Sequence, residues 1–263
     1  MEKPYIKLYG ERHTGSKYLN LLMVINLRVK IIPGVEDINQ FYFWKVKEGS
    51  SFYEWACDFY FKTHFSKTLG WKHILLPSFD IYRKTELCSK NILFLTLTKN
   101  PYAWLLSLYR NPKHAYRTYN SFEEFLTTPW KTRRRENAPA AFVNPMQMWN
   151  IKNRAYLQHK TGPWPTLNLR YEDVVEDPET WINRIAEVQK PERKTEVFEN
   201  REKSTTSSGA GKKFYADYRD YYVQQRWRND LTPHHIELIN SHLDETLMAQ
   251  FSYEKLAPSD GKA

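Results

Sequence analysis

Cysteine is scarce in this 263-residue chain: Cys57 and Cys88 are the only two, and they lie far apart. That spacing excludes a disulfide framework and a thiolate metal site, and it fits a reducing compartment. No apolar run approaches the ~20 residues needed to cross a bilayer. The chain enters a strand-like stretch almost at once, which leaves no secretory signal. A cytoplasmic location is therefore expected. There is no internal repeat, and no finger, helix-turn-helix or repeated basic–aromatic pattern of a nucleic-acid binder. The formal net charge is nonetheless +9, which favours an anionic partner of some kind. Most of that charge is interspersed with acidic residues, and the one local run is "WKTRRREN", with Arg133, Arg134 and Arg135 in a row. The run reads as a solvated loop face before it reads as a site for an acidic polymer.

The length suits one substantial core with at most a small appendage. "YIKLYG" reads as a first strand and "SKYLNLLMVINLRV" as a helix, with Tyr18, Leu21, Leu22, Ile25 and Val29 on one face. "GWKHILLP" suggests a second short strand and "IYRKTELCSKN" a connecting helix. "NILFLTLTKNP" is the clearest strand, apolar enough to be covered on both faces. Helices then follow over "PYAWLLSLYR", "SFEEFLTT" and "PMQMWNIKNRAYLQHK", a strand at "TLNLRYEDVV", and a helix at "DPETWINRIAEVQ". A closing amphipathic helix is expected through Ile236, Ile239, Leu243 and Leu247, capped by Thr232. The pattern predicts an α/β domain over residues 1–255, three layers around a central parallel sheet, with excursions at 31–70 and 111–150 and a flexible tail at 256–263.

In such sheets ligands sit beyond the carboxyl ends of the strands, and the unusual residues fall there. Gly10 and Gly15 in "YGERHTGSKYL" keep the spacing of a nucleotide phosphate loop, but Ser16 and Lys17 stand in reversed order. Backbone NH groups at the helix start favour an anion. Gly15 allows close approach, Ser16 offers a hydroxyl, and Arg12, His13 and Lys17 offer charge. The best strand ends at Lys99, not at the aspartate that would hold Mg²⁺ beside a triphosphate. Lys99 and Ser107, two turns into the next helix, form a second anion pocket.

These segments resemble the sulfotransferases that use 3′-phosphoadenosine 5′-phosphosulfate (PAPS), whose fold is P-loop NTPase-like. "HTGSKYL" is similar to their 5′-phosphosulfate loop and "KNPYAWLLSLYR" to their 3′-phosphate motif, with Lys99 in place of the usual arginine. "LRYEDVVEDPE" resembles a third segment, and Tyr253 a terminal tyrosine. The resemblance implies transfer of a sulfuryl group to a hydroxyl or amine, leaving 3′,5′-adenosine bisphosphate, with no metal required. It assigns cofactor binding to Arg12, His13, Thr14, Gly15, Ser16, Lys17, Tyr18, Lys99 and Ser107, with Lys212 and Lys213 as the C-terminal contribution and Arg201 and Lys203 as alternatives. Catalysis falls to His73 as base, with Lys72, Arg12 and His13 around the leaving oxygen. His64 in "KTH" and the carboxylates Glu36 and Asp37 are rival bases. His13 stands where relatives place a permanent cation. A glycan or glycolipid is the expected acceptor, ahead of a small alcohol, a phenol or a peptide tyrosine. Two other readings remain open: a non-catalytic nucleotide-binding module, and a kinase with a degenerate phosphate loop.

Overall fold

The computed structural model describes residues 3–34, 50–203 and 214–262. Four parallel strands form the central sheet: β1 (Tyr5–Gly10), β2 (Lys30–Ile31), β3 (Ile92–Thr98) and β6 (Thr166–Arg170). The spatial order is β2-β1-β3-β6. The chain leaves β1 towards one edge and later returns to its other side, so the direction of winding switches between β1 and β3. Gly10 pairs with Leu97 in register, which brings the loop after β1 level with Lys99. A small antiparallel pair, β4 (Trp130–Lys131) with β5 (Ala141–Phe142), lies in the 111–150 excursion. The chain is thus a mixed α/β protein around a parallel sheet.

The principal helices are α1 (Ser16–Asn26), α2 (Ser51–Thr63), α3 (Pro101–Arg110), α4 (Pro145–His159), α5 (Tyr171–Glu176), α6 (Pro178–Gln189) and α7 (Tyr215–Val223). Several start alike, with a capping side chain followed by proline. Asn100 accepts from the Tyr102 NH, Asn144 from Gln147 and Asp177 from Thr180. Proline is harmless at that first turn because its missing NH would have no partner in the helix. Every residue of β3 is buried, as its unbroken apolar run requires.

Three expected elements differ. Residues 70–77 form a turn and extended coil, not a strand. Leu69 and Gly70 both take positive φ (55° and 85°), and the Lys72 backbone is spent on Gly34 O and Gly10 N. Of 81–91 only the start is helical, in a short helix Phe79–Arg83. The closing helix breaks into α8 (Pro233–Asn240) and α9 (Glu245–Gln250), because Asp244 caps the second by accepting from the Leu247 NH. Its four apolar positions are all buried, and Thr232 caps α8 as expected. Residues 256–262, expected as a flexible tail, pack back: Leu256 is buried and the Lys262 NH donates to Leu231 O.

Two fully buried lysines tie the loops to this frame. Lys7, in the middle of β1, donates to the carbonyls of Pro33, Thr68 and Gly70 at 2.8, 2.5 and 2.6 Å. Burial lowers its pKa well below the ordinary lysine value, but three acceptors match the three donors of the charged ammonium. Lys152, on α4, donates to Glu11, to Glu136 Oε2 at 2.7 Å and to His73 O at 2.6 Å. Replacing Lys152 by Met strips the buried carboxylates of one of two counter-charges. It is expected to destabilise the protein by about 3–5 kcal/mol, measured by urea unfolding with an unchanged m-value. A loss below about 1 kcal/mol would mean that Arg12 alone neutralises both.

Candidate functional site

The loop from β1 into α1 is shaped by Gly15. It takes φ 85°, in the left-handed region, and a Cβ there would meet the Tyr171 ring at 2.3 Å. Gly10 has no room either, with Thr14 Oγ1 2.8 Å and Leu97 O 3.0 Å from where its Cβ would fall. Thr14 closes the turn by donating its hydroxyl to Glu11 O at 2.7 Å.

A cavity of about 130 Å³ opens beside the loop. Its wall brings together His13, Gly15 and Tyr18 from the loop and α1, Lys99 and Ser107 from the neighbouring strand end and helix, and Arg201 and Lys203. Five tyrosines (18, 171, 215, 218 and 222) complete it. Lys99 Nζ donates to His13 O at 3.3 Å and Ser107 Oγ at 3.1 Å, and lies 3.6 Å from the Tyr222 ring centroid and 4.7 Å from that of Tyr171. Burial alone would push the Tyr222 phenol up. Lys99, with Ser107 and Arg110, outweighs it and holds the phenol below its ordinary value.

His13, at φ 62°, bonds through Nε2 to Asn111 O at 2.6 Å. A carbonyl can only accept, so Nε2 carries the proton. Burial, helped by Lys99, Lys113 and Arg12, lowers the ring to about 3 against the opposing Asn111 bond. His13 is therefore neutral at pH 7 and supplies no permanent charge.

Arg12 does not face this cavity. Its guanidinium bonds Glu11 at 2.9 Å and Glu136 at 2.8 Å, with the rings of Trp71 and Trp130 at 5.0 and 5.5 Å. Burial would lower its pKa, but Glu136 and Glu11 raise it. The same two carboxylates bind Lys152, closing a ring of two cations and two anions. The expected role of Arg12 at the leaving group is thus replaced by one in shaping the loop. Lys17 is exposed and outside the cavity wall. Ser16 is buried at the first position of α1.

His73 lies directly under the loop. Its Nδ1 donates to Gly10 O, which leaves Nε2 as the bare nitrogen of a neutral ring. Burial, then Lys72 and Arg12, hold its pKa well below the ordinary value. His73 lines neither this cavity nor the larger one described below. Lys72 beside it is half-buried. The rival His64 is exposed at the end of α2, its ring stacked on Tyr60 at 4.4 Å. Lys212, Lys213, Glu36 and Asp37 lie outside the described residues.

The larger cavity, about 670 Å³, is framed by α2, residues 70–81 and the arginine run. Trp55 and Phe59 line it while remaining more than half exposed. The arginine run is not one solvated face. Arg135 bonds Glu54 and Asp58 at 2.6 and 2.8 Å, Arg133 stacks on Tyr116 at 3.8 Å, and only Arg134 is exposed. Of the wall's tyrosines the sequence pointed to Tyr18 alone, and it passed over Glu11, Glu136 and Lys152. Only Glu11, beside Arg12 in the loop, carried a local signal.

A family model described as Sulfotransferase family matches residues 32–190. The match begins after the phosphate loop and takes in His73, Lys99, Ser107 and Glu136. No curated protein matches the chain. Among the described residues, no three His, Cys, Asp or Glu side chains are grouped to hold a metal ion, and no helix is long and apolar enough to cross a membrane.

Replacing Lys99 by Met removes the cation that joins the loop to α3. Binding of inorganic pyrophosphate is expected to weaken about tenfold or more, the worth of one charge-assisted hydrogen bond, with the folded near-UV dichroism retained. Undiminished pyrophosphate affinity would show that Lys99 serves only to pack the two tyrosines.

Proposed function

The chain belongs to the sulfotransferase family, and from that we propose that it transfers a sulfuryl group from PAPS to a hydroxyl or amine of an acceptor. The observation that carries this reading is Lys99. One ammonium contacts both the phosphate-loop backbone and Ser107, so two anion sites share a wall at the β1/β3 switch. A ligand with phosphates at its two ends fits such a wall, and tyrosines between them suit a purine. Gly15, at φ 85° on the cavity wall, sets the start of α1 where backbone NH groups favour a phosphate. His13, Gly15, Ser16 and Tyr18 would hold the 5′ end, and Lys99 and Ser107 the 3′-phosphate. Among the described residues, Arg201 and Lys203 are the C-terminal cations at that wall.

When bound, the phosphosulfate supplies the transferred group. The chain supplies a base and charge. His73 is neutral, its Nδ1 proton committed to Gly10 O, so Nε2 would be its nitrogen able to take the acceptor's proton, although the ring lines neither cavity. Lys72 and the helix start would supply positive charge towards the leaving oxygen. The alternative of a kinase needs a carboxylate near the loop for Mg²⁺, and the loop's own Glu11 is already bonded to Arg12 and Lys152. Two free cysteines support a cytoplasmic setting.

For the acceptor, the larger cavity supports a glycan or glycolipid. Two adjacent exposed rings, Trp55 and Phe59 at 5.8 Å, offer a stacking face for a sugar, and Arg134 stands at its rim.

Three experiments test this reading. The protein is expected to bind adenosine 3′,5′-bisphosphate in preference to ATP with Mg²⁺, and His73→Gln to keep that affinity while turnover falls by about 10²-fold or more. No preference for the bisphosphate would remove the assignment, and unchanged turnover would remove His73 as base. Trp55→Ala is expected to raise KM for a saccharide acceptor about tenfold while leaving bisphosphate affinity untouched, a split read directly from steady-state kinetics.

A further inference from the structure

We propose that Glu172 and Tyr253 are positioning residues for Lys99, so that the C-terminal segment of the chain sets how tightly a phosphate binds beside Ser107. The inference rests on the reading of Lys99 as a cofactor contact. It goes beyond that reading, because it gives a task to two residues outside the wall of the loop cavity.

The peptide unit between Lys99 and Asn100 is held at both of its polar atoms. Its carbonyl, Lys99 O, accepts from Trp149 Nε1 at 3.0 Å. Its NH, on Asn100, donates to Glu172 Oε1 at 2.9 Å. A peptide unit is planar and rigid, so two bonds on opposite sides of it fix its rotation. One bond comes from α4 and the other from the first turn of α5. The second Glu172 oxygen is used as well: Oε2 accepts the Tyr253 hydroxyl at 2.7 Å.

Tyr253 is buried, and its own place is fixed after α9. Its NH donates to Met248 O at 3.0 Å, Ser252 before it takes φ 55°, and the Arg170 guanidinium lies 4.9 Å from its ring. Its ring also packs on that of Trp149, with centroids 6.4 Å apart. A chain of two hydrogen bonds thus runs from the C-terminal segment, through one carboxylate, to the backbone of Lys99. A hydrogen bond to an ionised carboxylate is among the stronger kinds.

The placement matters because lysine carries its charge on a flexible four-carbon stem. The ammonium meets His13 O and Ser107 Oγ together only while the backbone beneath it is held. Glu172 and Tyr253 do not line the loop cavity. With Asn100, they line a separate cavity of about 250 Å³. They act through Lys99 and not on a ligand in the loop cavity.

The test is the ratio of affinities for adenosine 3′,5′-bisphosphate and adenosine 5′-monophosphate, measured by calorimetry on the whole chain. The two ligands differ only in the 3′-phosphate that Lys99 and Ser107 would hold. Tyr253→Phe, which removes one oxygen and keeps the ring, is expected to lower the wild-type preference for the bisphosphate about threefold, and Glu172→Ala about tenfold or more. Glu172→Gln keeps an acceptor for the Asn100 NH and is expected to fall close to Tyr253→Phe. In a Lys99→Met background these changes are expected to lower the ratio no further, as for residues that act in one chain. If Glu172→Ala does not fold, Tyr253→Phe and Glu172→Gln decide the matter. An unchanged ratio in those two would overturn the inference and leave the cofactor reading standing. Equal weakening of both ligands would overturn it as a general loss of structure. So would an undiminished effect of Tyr253→Phe in the Lys99→Met background. Failure of the wild type to bind the bisphosphate, or to prefer it to the monophosphate, would overturn both.

Discussion

The structure turns on a closed ring of buried charge. Glu11, Arg12, Glu136 and Lys152 have side chains almost wholly removed from solvent. Any one of them alone would cost several kcal/mol to desolvate. Together they sum to zero charge, and each cation bonds both carboxylates. All three Lys152 donors are used, the third on His73 O. The ring joins four separate pieces of chain: the phosphate loop, the turn at 70–74, the 111–150 excursion and α4. Only the excursion supplies the Glu136 carboxylate, so that segment is built into the loop's foundation, not merely attached to it.

The same charges set what the loop can do. With Arg12 turned to the carboxylates, the phosphate side of the loop is left with backbone NH groups, a neutral histidine and Lys99. Lys99 is itself steadied by Tyr171 and Tyr222, whose π faces attract a cation without neutralising it as a carboxylate would. Its charge therefore stays available to a ligand. Trp71 links the two halves of the structure, since its ring lies 5.0 Å from Arg12 and 4.2 Å from Arg135, and Arg135 is bonded to the carboxylates that line the larger cavity. The loop after β1 and the arginine run beside the larger cavity thus share one aromatic residue, in the turn that also carries His73.

Legibility in the sequence followed the range of each interaction. The β1 loop and α1, the β3 strand and the Asx–Pro helix starts are local patterns, and they were readable. The juxtaposition of Lys99 with the loop followed from parallel-sheet topology. Arg12 misled because its partner Glu136 is 124 residues away, and a loop arginine beside a phosphate motif reads as a ligand contact. Lys152 and Lys7 carry no local signal, because they reach partners 141 and 61 residues away. The 70–77 segment read as a strand from its apolar run, but its backbone groups are taken by Gly34, Gly10 and Glu136, contacts that no local pattern encodes. The arginine run read as a solvated face, although two of its three side chains are drawn inward by Glu54, Asp58 and Tyr116.

The departure at His13 gains its meaning from this arrangement. A permanent cation there would sit next to Lys99 and Lys113, while Glu11 and Glu136 are held in the ring. Without a ligand, such a cluster would repel itself in a buried setting. A histidine avoids that cost by staying neutral, with its Nε2–H bonded to Asn111 O. The ring that stabilises the loop and the histidine that leaves it undercharged are two sides of one electrostatic balance. The first fixes the backbone by neutralising Arg12, and the second leaves the phosphate side free of a charge it could not otherwise pair.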